Sequence, residues 1–175
     1  MLVRVVRGTA IVVTGLMAGA FCYGAINLAP TFWEVPLQMR LTFHAELMKM
    51  NSPVMQTAML LSAVSSLALA FLSRGRRRLL AACAGALAVA TFLITRFGNV
   101  PINGRIKEWA VTSPPADVVD QLQRWDFFNR MRTTTAVVAL VLLVITALMA
   151  SREGDDPAEG SGAAADGERE ESAVR

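Results

Sequence analysis

Residues 133–150 read TTTAVVALVLLVITALMA, without one formal charge. As a helix rising about 1.5 Å per residue, this run is roughly 27 Å long, close to the ~30 Å of hydrocarbon in a bilayer. Residues 8–28, 53–73 and 79–97 have the same character, and only Arg96, at the end of its run, puts a formal charge inside any of them. These runs predict an all-α fold, a bundle of four transmembrane helices. Function is then to be sought in the polar residues that flank or interrupt the spans.

Composition agrees. Hydrophobic residues make up 54% of the chain, too much for a soluble domain of this size to hide. Four spans with short connections predict one integral membrane domain over residues 1–150. Those residues carry 14 basic and 6 acidic side chains, whereas residues 151–175 carry 3 basic and 8 acidic ones. A basic body of this kind suits contact with anionic lipid headgroups and argues against a nucleic-acid partner. The last 25 residues are Gly, Ala, Ser and acid with no apolar period. They are expected to form a disordered cytoplasmic tail. Cys22 and Cys83 lie within apolar runs at different depths, so an intrachain disulfide is not expected and both read as inert, buried thiols.

Arg4 and Arg7 before an apolar run resemble the start of a signal peptide. The run continues through Tyr23 to Leu28, which suits an uncleaved span. Residues 74–78 hold four arginines in a tight turn. The excess of positive charge on cytoplasmic loops then predicts that both termini face the cytoplasm, in the cell's inner or plasma membrane. Gly15 and Gly19 form a GxxxG, and Ala81, Gly85 and Ala88 form a second small-residue stripe. Such stripes let helix backbones approach closely. Packing within the chain is the preferred use, and self-association into a homo-oligomer is the other.

The two outer connections are long. Apolar Leu37, Leu41 and Met48 recur at helical spacing among Arg40, Glu46 and Lys49, which predicts an amphipathic outer-loop helix over 37–50 lying on or dipping into the bundle. The dense Gly and Pro of residues 98–104 predict a break at the exit of the third span. A last helix is expected to begin after Ser113-Pro114-Pro115, with Ser113 as its cap, and to project well beyond the membrane. Asn27 with Pro30 and Asn99 with Pro101 stand at similar places in the two halves, each followed by a Trp. This pattern suits an old hairpin duplication.

Few residues can carry chemistry. Asn99-Val-Pro-Ile-Asn103 frees backbone groups and offers two amides that can cap a helix end or hold a ligand's oxygens. Trp125, Asn129 and Arg132 at i, i+4 and i+7 share one helix face. Arg132 can point inward with them or snorkel to the headgroups. Asp126 and Arg130 are spaced as a solvated ion pair. His44, one turn after Arg40, is the chain's single histidine. It reads either as a surface residue or as a base suited to neutral pH. One histidine cannot build a usual zinc or di-iron set, so no metal site is predicted.

On residues 15–27 with Pro30, on Asn99-x-Pro101-x-Asn103, and on Trp125 with Asn129 and Arg132, the chain resembles the anthrone-oxygenase-like family of small four-helix membrane proteins. The resemblance covers about residues 8–150. It implies oxidation by O₂ of a lipophilic aromatic carbon acid such as an anthrone, by a monooxygenase needing no cofactor. It also implies that the partner is a lipophilic small molecule. His44 is then the candidate base, Arg132 with Asn99 and Asn103 the candidate stabilisers of an oxyanion, and Trp125, with Asn129 beside it, a stacking wall. The competing class is a non-enzymatic membrane protein that binds a lipid, a quinone or a protein partner. A transporter is weaker, because the spans hold few polar groups beyond serines and threonines.

Overall fold

The computed structural model describes residues 1–155, with side-chain surroundings through residue 150. The described residues are helical throughout apart from short connections. Helix α1 (Leu2–Tyr23) passes through a π-helical turn, Gly24–Leu28, into α2 (Ala29–Glu34). Helix α3 is Leu37–Leu72. Helix α4 (Gly75–Ile94) passes through a second π-helical turn, Thr95–Asn99, into α5 (Val100–Trp109), and α6 is Val118–Asp155. The four resulting rods are each long and apolar enough to cross a membrane. At 33 to 36 residues per rod, each is roughly 50 Å long and outreaches the hydrocarbon.

The rods form a ring in the order α1, α3, α4, α6, each packed on two neighbours. The core has three levels. Ala10, Leu69, Ala81, Ala84 and Leu143 fill the end at the arginine-rich turn. Met17, Phe21, Met59 and Ala136 fill the middle. Leu41, Ile102, Ile106, Trp109, Leu122 and Trp125 fill the far end. Polar links between rods, Thr14 to Ser62 at 2.7 Å and Thr91 to Thr135 at 2.8 Å, supply the directional contacts that apolar packing in lipid lacks.

Two glycines set the geometry. Gly75 turns the chain from α3 into α4 at φ +56°, a conformation that costs a side-chain-bearing residue energy. A Cβ at Gly85 would lie 2.6 Å from Leu67 Cδ2, so α3 and α4 are as close as they are because that position is bare. In α1, Gly15 faces Leu140 at 3.7 Å, whereas Gly19 faces away from the bundle. The intrachain use of small residues is therefore clearest in α4. Both cysteines are free, Cys22 half-buried and Cys83 exposed, so the expectation of buried thiols fails for Cys83.

Three local expectations change. The amphipathic segment 37–50 is not a separate helix but the first part of α3, which runs straight through Pro53. One lost backbone bond is outweighed because the helix is buried on both sides, at Leu41 and Ala45 before it and at Met59 and Leu69 after it. The Gly/Pro stretch 98–104 does not break the helix. The backbone widens by one residue instead, Val100 N–H bonding Thr95 O, just before Pro101. Ala29 N–H likewise bonds Gly24 O just before Pro30. A π turn moves the carbonyl that a proline ring would strike and absorbs the missing donor. The last helix does start after Pro115, at Val118, but Ser113 is not its cap, because residues 116–117 form a turn that Val118 N–H closes on Pro115 O. Its cap is Asp117, whose side chain and carbonyl both accept from Gln121. Residues 151–155 continue α6, and the expectations for the rest of the acidic tail fall outside the described residues.

Candidate functional site

The widened turns aim side chains that a straight helix would send elsewhere. Leu28 and Gly24 from the first turn and Thr95 from the second line one cavity of about 150 Å³ near the far end of the bundle. Helix α3 presents Arg40, Leu41, His44 and Ala45 inward at helical spacing. Helix α6 answers with Trp125, Asp126 and Asn129, all buried. The cavity wall includes His44, Asn103, Trp125, Asn129 and Arg132, set among Phe21, Phe32, Met55 and Met59. Five of the six side chains singled out from sequence thus share one hollow. Asn99 does not reach it.

The polar groups differ in how they are held. His44 is fully buried. Its ring stacks on Phe32, 5.0 Å between centroids, and stands T-shaped to Trp125 with centroids 4.6 Å apart. Both imidazole nitrogens are buried without a hydrogen-bond partner, an unusual and costly state that a guest could relieve. Arg132 is clamped from two sides. Its Nε and Nη2 donate to Asn129 Oδ1 at 3.1 and 2.7 Å, and its guanidinium lies 4.5 Å from the Phe21 ring centroid. Arg132 itself lines the hollow. Among the described residues, no carboxylate forms an ion pair with Arg132. The cavity therefore carries an uncompensated positive charge in apolar surroundings, which favours an anionic guest or intermediate.

Asn99 and Asn103 act on Trp125. Asn103 Oδ1 accepts from Trp125 Nε1 at 2.6 Å, and Asn99 Nδ2 donates to Trp125 O at 3.1 Å. One amide fixes the indole and the other fixes the backbone behind it. Gly98, just before Asn99, lets the second π turn press on α6: a Cβ there would sit 2.5 Å from the Phe128 ring.

The sequence reading missed a second buried cluster above the cavity. Arg40 is 1% exposed, with its guanidinium 3.9 Å from the Trp33 ring centroid and 4.0 Å from Asp126 Oδ2. Trp33 Nε1 donates to the same oxygen at 2.6 Å. Asp126 is therefore not the solvated partner of Arg130 that their spacing suggests. It is buried, and it ties α2 and α3 to α6, while Arg130 is exposed. The only trace of this in the sequence is the one-turn spacing of Arg40 from His44. Among the described residues, no group of three His, Cys, Asp or Glu side chains converges as metal ligands would.

A protein-family model described as "Anthrone oxygenase" matches residues 39–142. All six candidate residues, Arg40 and Asp126 fall inside that match, while Phe21, Gly24 and Phe32 lie before it. No curated protein and no solved structure matches the chain.

Proposed function

Since this chain belongs to the anthrone oxygenase family, we propose that it oxidises a lipophilic aromatic carbon acid of the anthrone type with O₂ inside the membrane. The observation that carries this reading is the pairing, in one apolar hollow, of an unpartnered imidazole and an uncompensated guanidinium. Such a carbon acid has a CH₂ whose acidity comes from a conjugated carbonyl. His44 removes a proton from that CH₂, and the charge spreads to the carbonyl oxygen. The Arg132 guanidinium stabilises it there as an oxyanion hole does. Asn129 and Phe21 hold the guanidinium in place. Trp125, fixed by Asn99 and Asn103, is a flat wall for the rings.

The electron-rich carbon reduces O₂ and forms a C–O bond, and the proton held by His44 passes to the resulting peroxide. Removal of the second C–H proton as the O–O bond breaks leaves a ketone and expels water. The balance is one CH₂ plus one O₂ giving one C=O plus one H₂O. The base, the oxyanion donor and the apolar walls come from the chain itself, and the proposal includes no cofactor.

The arginines at positions 4, 7, 74 and 76–78 support a cytoplasmic placement of both termini, with the cavity toward the opposite face. The test of the function is oxygen-dependent conversion of anthrone by the purified protein, with and without a chelator. Quinone yield and O₂ uptake should rise together, one to one, and survive the chelator. Anthrone binding without any oxidation above the spontaneous rate would instead favour the non-enzymatic binding reading.

A further inference from the structure

The cavity is not closed on all sides. His44, Trp125, Asn129, Phe21 and Met59 form its buried floor, whereas Ala20 of α1 and Asn51 and Gln56 of α3 line it and are exposed. The mouth therefore lies between α1 and α3. Ala20 and Gly24 stand on its α1 side, both within the apolar run 8–28.

Gly24 is the informative residue. Its backbone, at φ −58° and ψ −42°, is ordinary right-handed helix that any residue adopts. A Cβ added there would meet nothing within 4 Å. Neither conformation nor packing calls for glycine, so the missing side chain serves to leave space at the cavity wall. Facing it, Met48 and Met55 are long, unbranched side chains that adapt to what passes. A second hollow continues from the mouth along the outside of the bundle between the same two helices. Val13, Leu16 and Met17 of α1 face Val54, Ala58 and Leu61 of α3 in it, and Met55 lines both hollows. An apolar groove within the spans, running into a cavity with buried polar groups, suits a molecule that is dissolved in lipid and must reach those groups.

We infer that a flat lipophilic guest reaches His44 sideways from the hydrocarbon, along the α1–α3 groove and through a mouth whose width is set by Ala20 and Gly24. This rests on the proposed reading of the cavity as the seat of such a guest. It makes Gly24 a specificity-determining position for guest width. Asn51 and Gln56 at the rim can accept or donate to a polar substituent as it passes.

The route is testable without turnover. In the full chain with Cys22→Ala and Cys83→Ala, Met59→Cys places a thiol on the cavity floor. The protein is reconstituted in phosphatidylcholine liposomes and labelled with pyrenylmaleimide, N-ethylmaleimide or a trimethylammonium thiosulfonate. The first is broad and lipid-soluble, the second small, and the third confined to water. Each rate is normalised to that of Ser113→Cys in the exposed connection. Pyrenylmaleimide should label the floor, and adding Gly24→Phe should slow it at least 10-fold while N-ethylmaleimide slows less than 3-fold. Gly24→Ala should label as the parent does. Ala20→Phe serves as a second block should Gly24→Phe fail to elute as a folded monodisperse species. The thiosulfonate should react at least 10-fold less readily than pyrenylmaleimide on the normalised scale. Equal labelling by the two, or pyrene labelling indifferent to both phenylalanines, would overturn the route. Gated labelling in a protein that does not oxidise anthrone would leave the route standing and reject only the reaction.

Discussion

Asp126→Asn isolates the charge in the buried cluster above the cavity. Asparagine keeps an oxygen that can accept from Trp33 Nε1, so the 2.6 Å bond has a replacement. What is lost is the counter-charge to Arg40, 4.0 Å away. Two unit charges at that separation attract by about 4 kcal/mol at an effective dielectric constant near 20. Arg40 is 1% exposed, so in the variant its charge stays desolvated, with only the faces of Trp33 and Phe32 for company. Breaking one side of a buried pair costs roughly 3–5 kcal/mol. The cation–π contacts with the two rings are present in the parent as well and cancel, so the expected loss is about 3–5 kcal/mol. Adding Arg40→Met removes the stranded cation as well and should bring stability back to within about 1 kcal/mol of the parent. Equilibrium unfolding in mixed micelles with rising SDS, followed by tryptophan fluorescence, reads all three proteins. A loss under about 0.5 kcal/mol, the scale of ordinary surface changes, would refute the pairing. So would a double variant no more stable than Asp126→Asn alone.

Arg132→Gln should lower turnover by roughly 10²-fold or more while the protein still inserts and folds, as loss of an oxyanion donor does. Arg130→Gln, on the exposed face, should change it less than about 2-fold; similar small effects from both would reject Arg132 as the stabiliser. A reporter fused after Arg175 should signal from the cytoplasm, and signal from outside would move the cavity to the other face of the membrane. Truncation after Arg152 should leave expression and activity unchanged, and a large loss of either in the truncated protein would give the tail a role.

The spans were legible because hydrocarbon imposes one rule on every residue in them, and hydropathy reads that rule directly. The stripe Trp125, Asn129 and Arg132 was legible for a similar reason: its three members sit on one helix, where spacing fixes a shared face. Arg40 was not. Its partners Trp33 and Asp126 lie on other helices, Asp126 86 positions away along the chain, and no local periodicity encodes such a meeting. Local rules also misassigned Asp126 to Arg130, because an i,i+4 pair is what an exposed helix would use. The prolines misled in another way. Pro30 and Pro101 each follow a π turn, and Pro53 is carried inside α3. A rule that ends helices at proline holds where nothing else pins the backbone, and here the bundle pins it from both sides.

The central claim is that His44 acts as a base on a carbon acid held in the cavity. Its most direct measurement compares the initial rate of anthrone-dependent O₂ uptake by the purified parent and by His44→Ala in the same micelles, after subtracting the rate of protein-free micelles. Loss of a positioned general base should lower the catalysed rate by about 10²- to 10⁴-fold, with the folded variant still binding anthraquinone. A His44→Ala protein that oxidises anthrone within a few-fold of the parent would contradict the account.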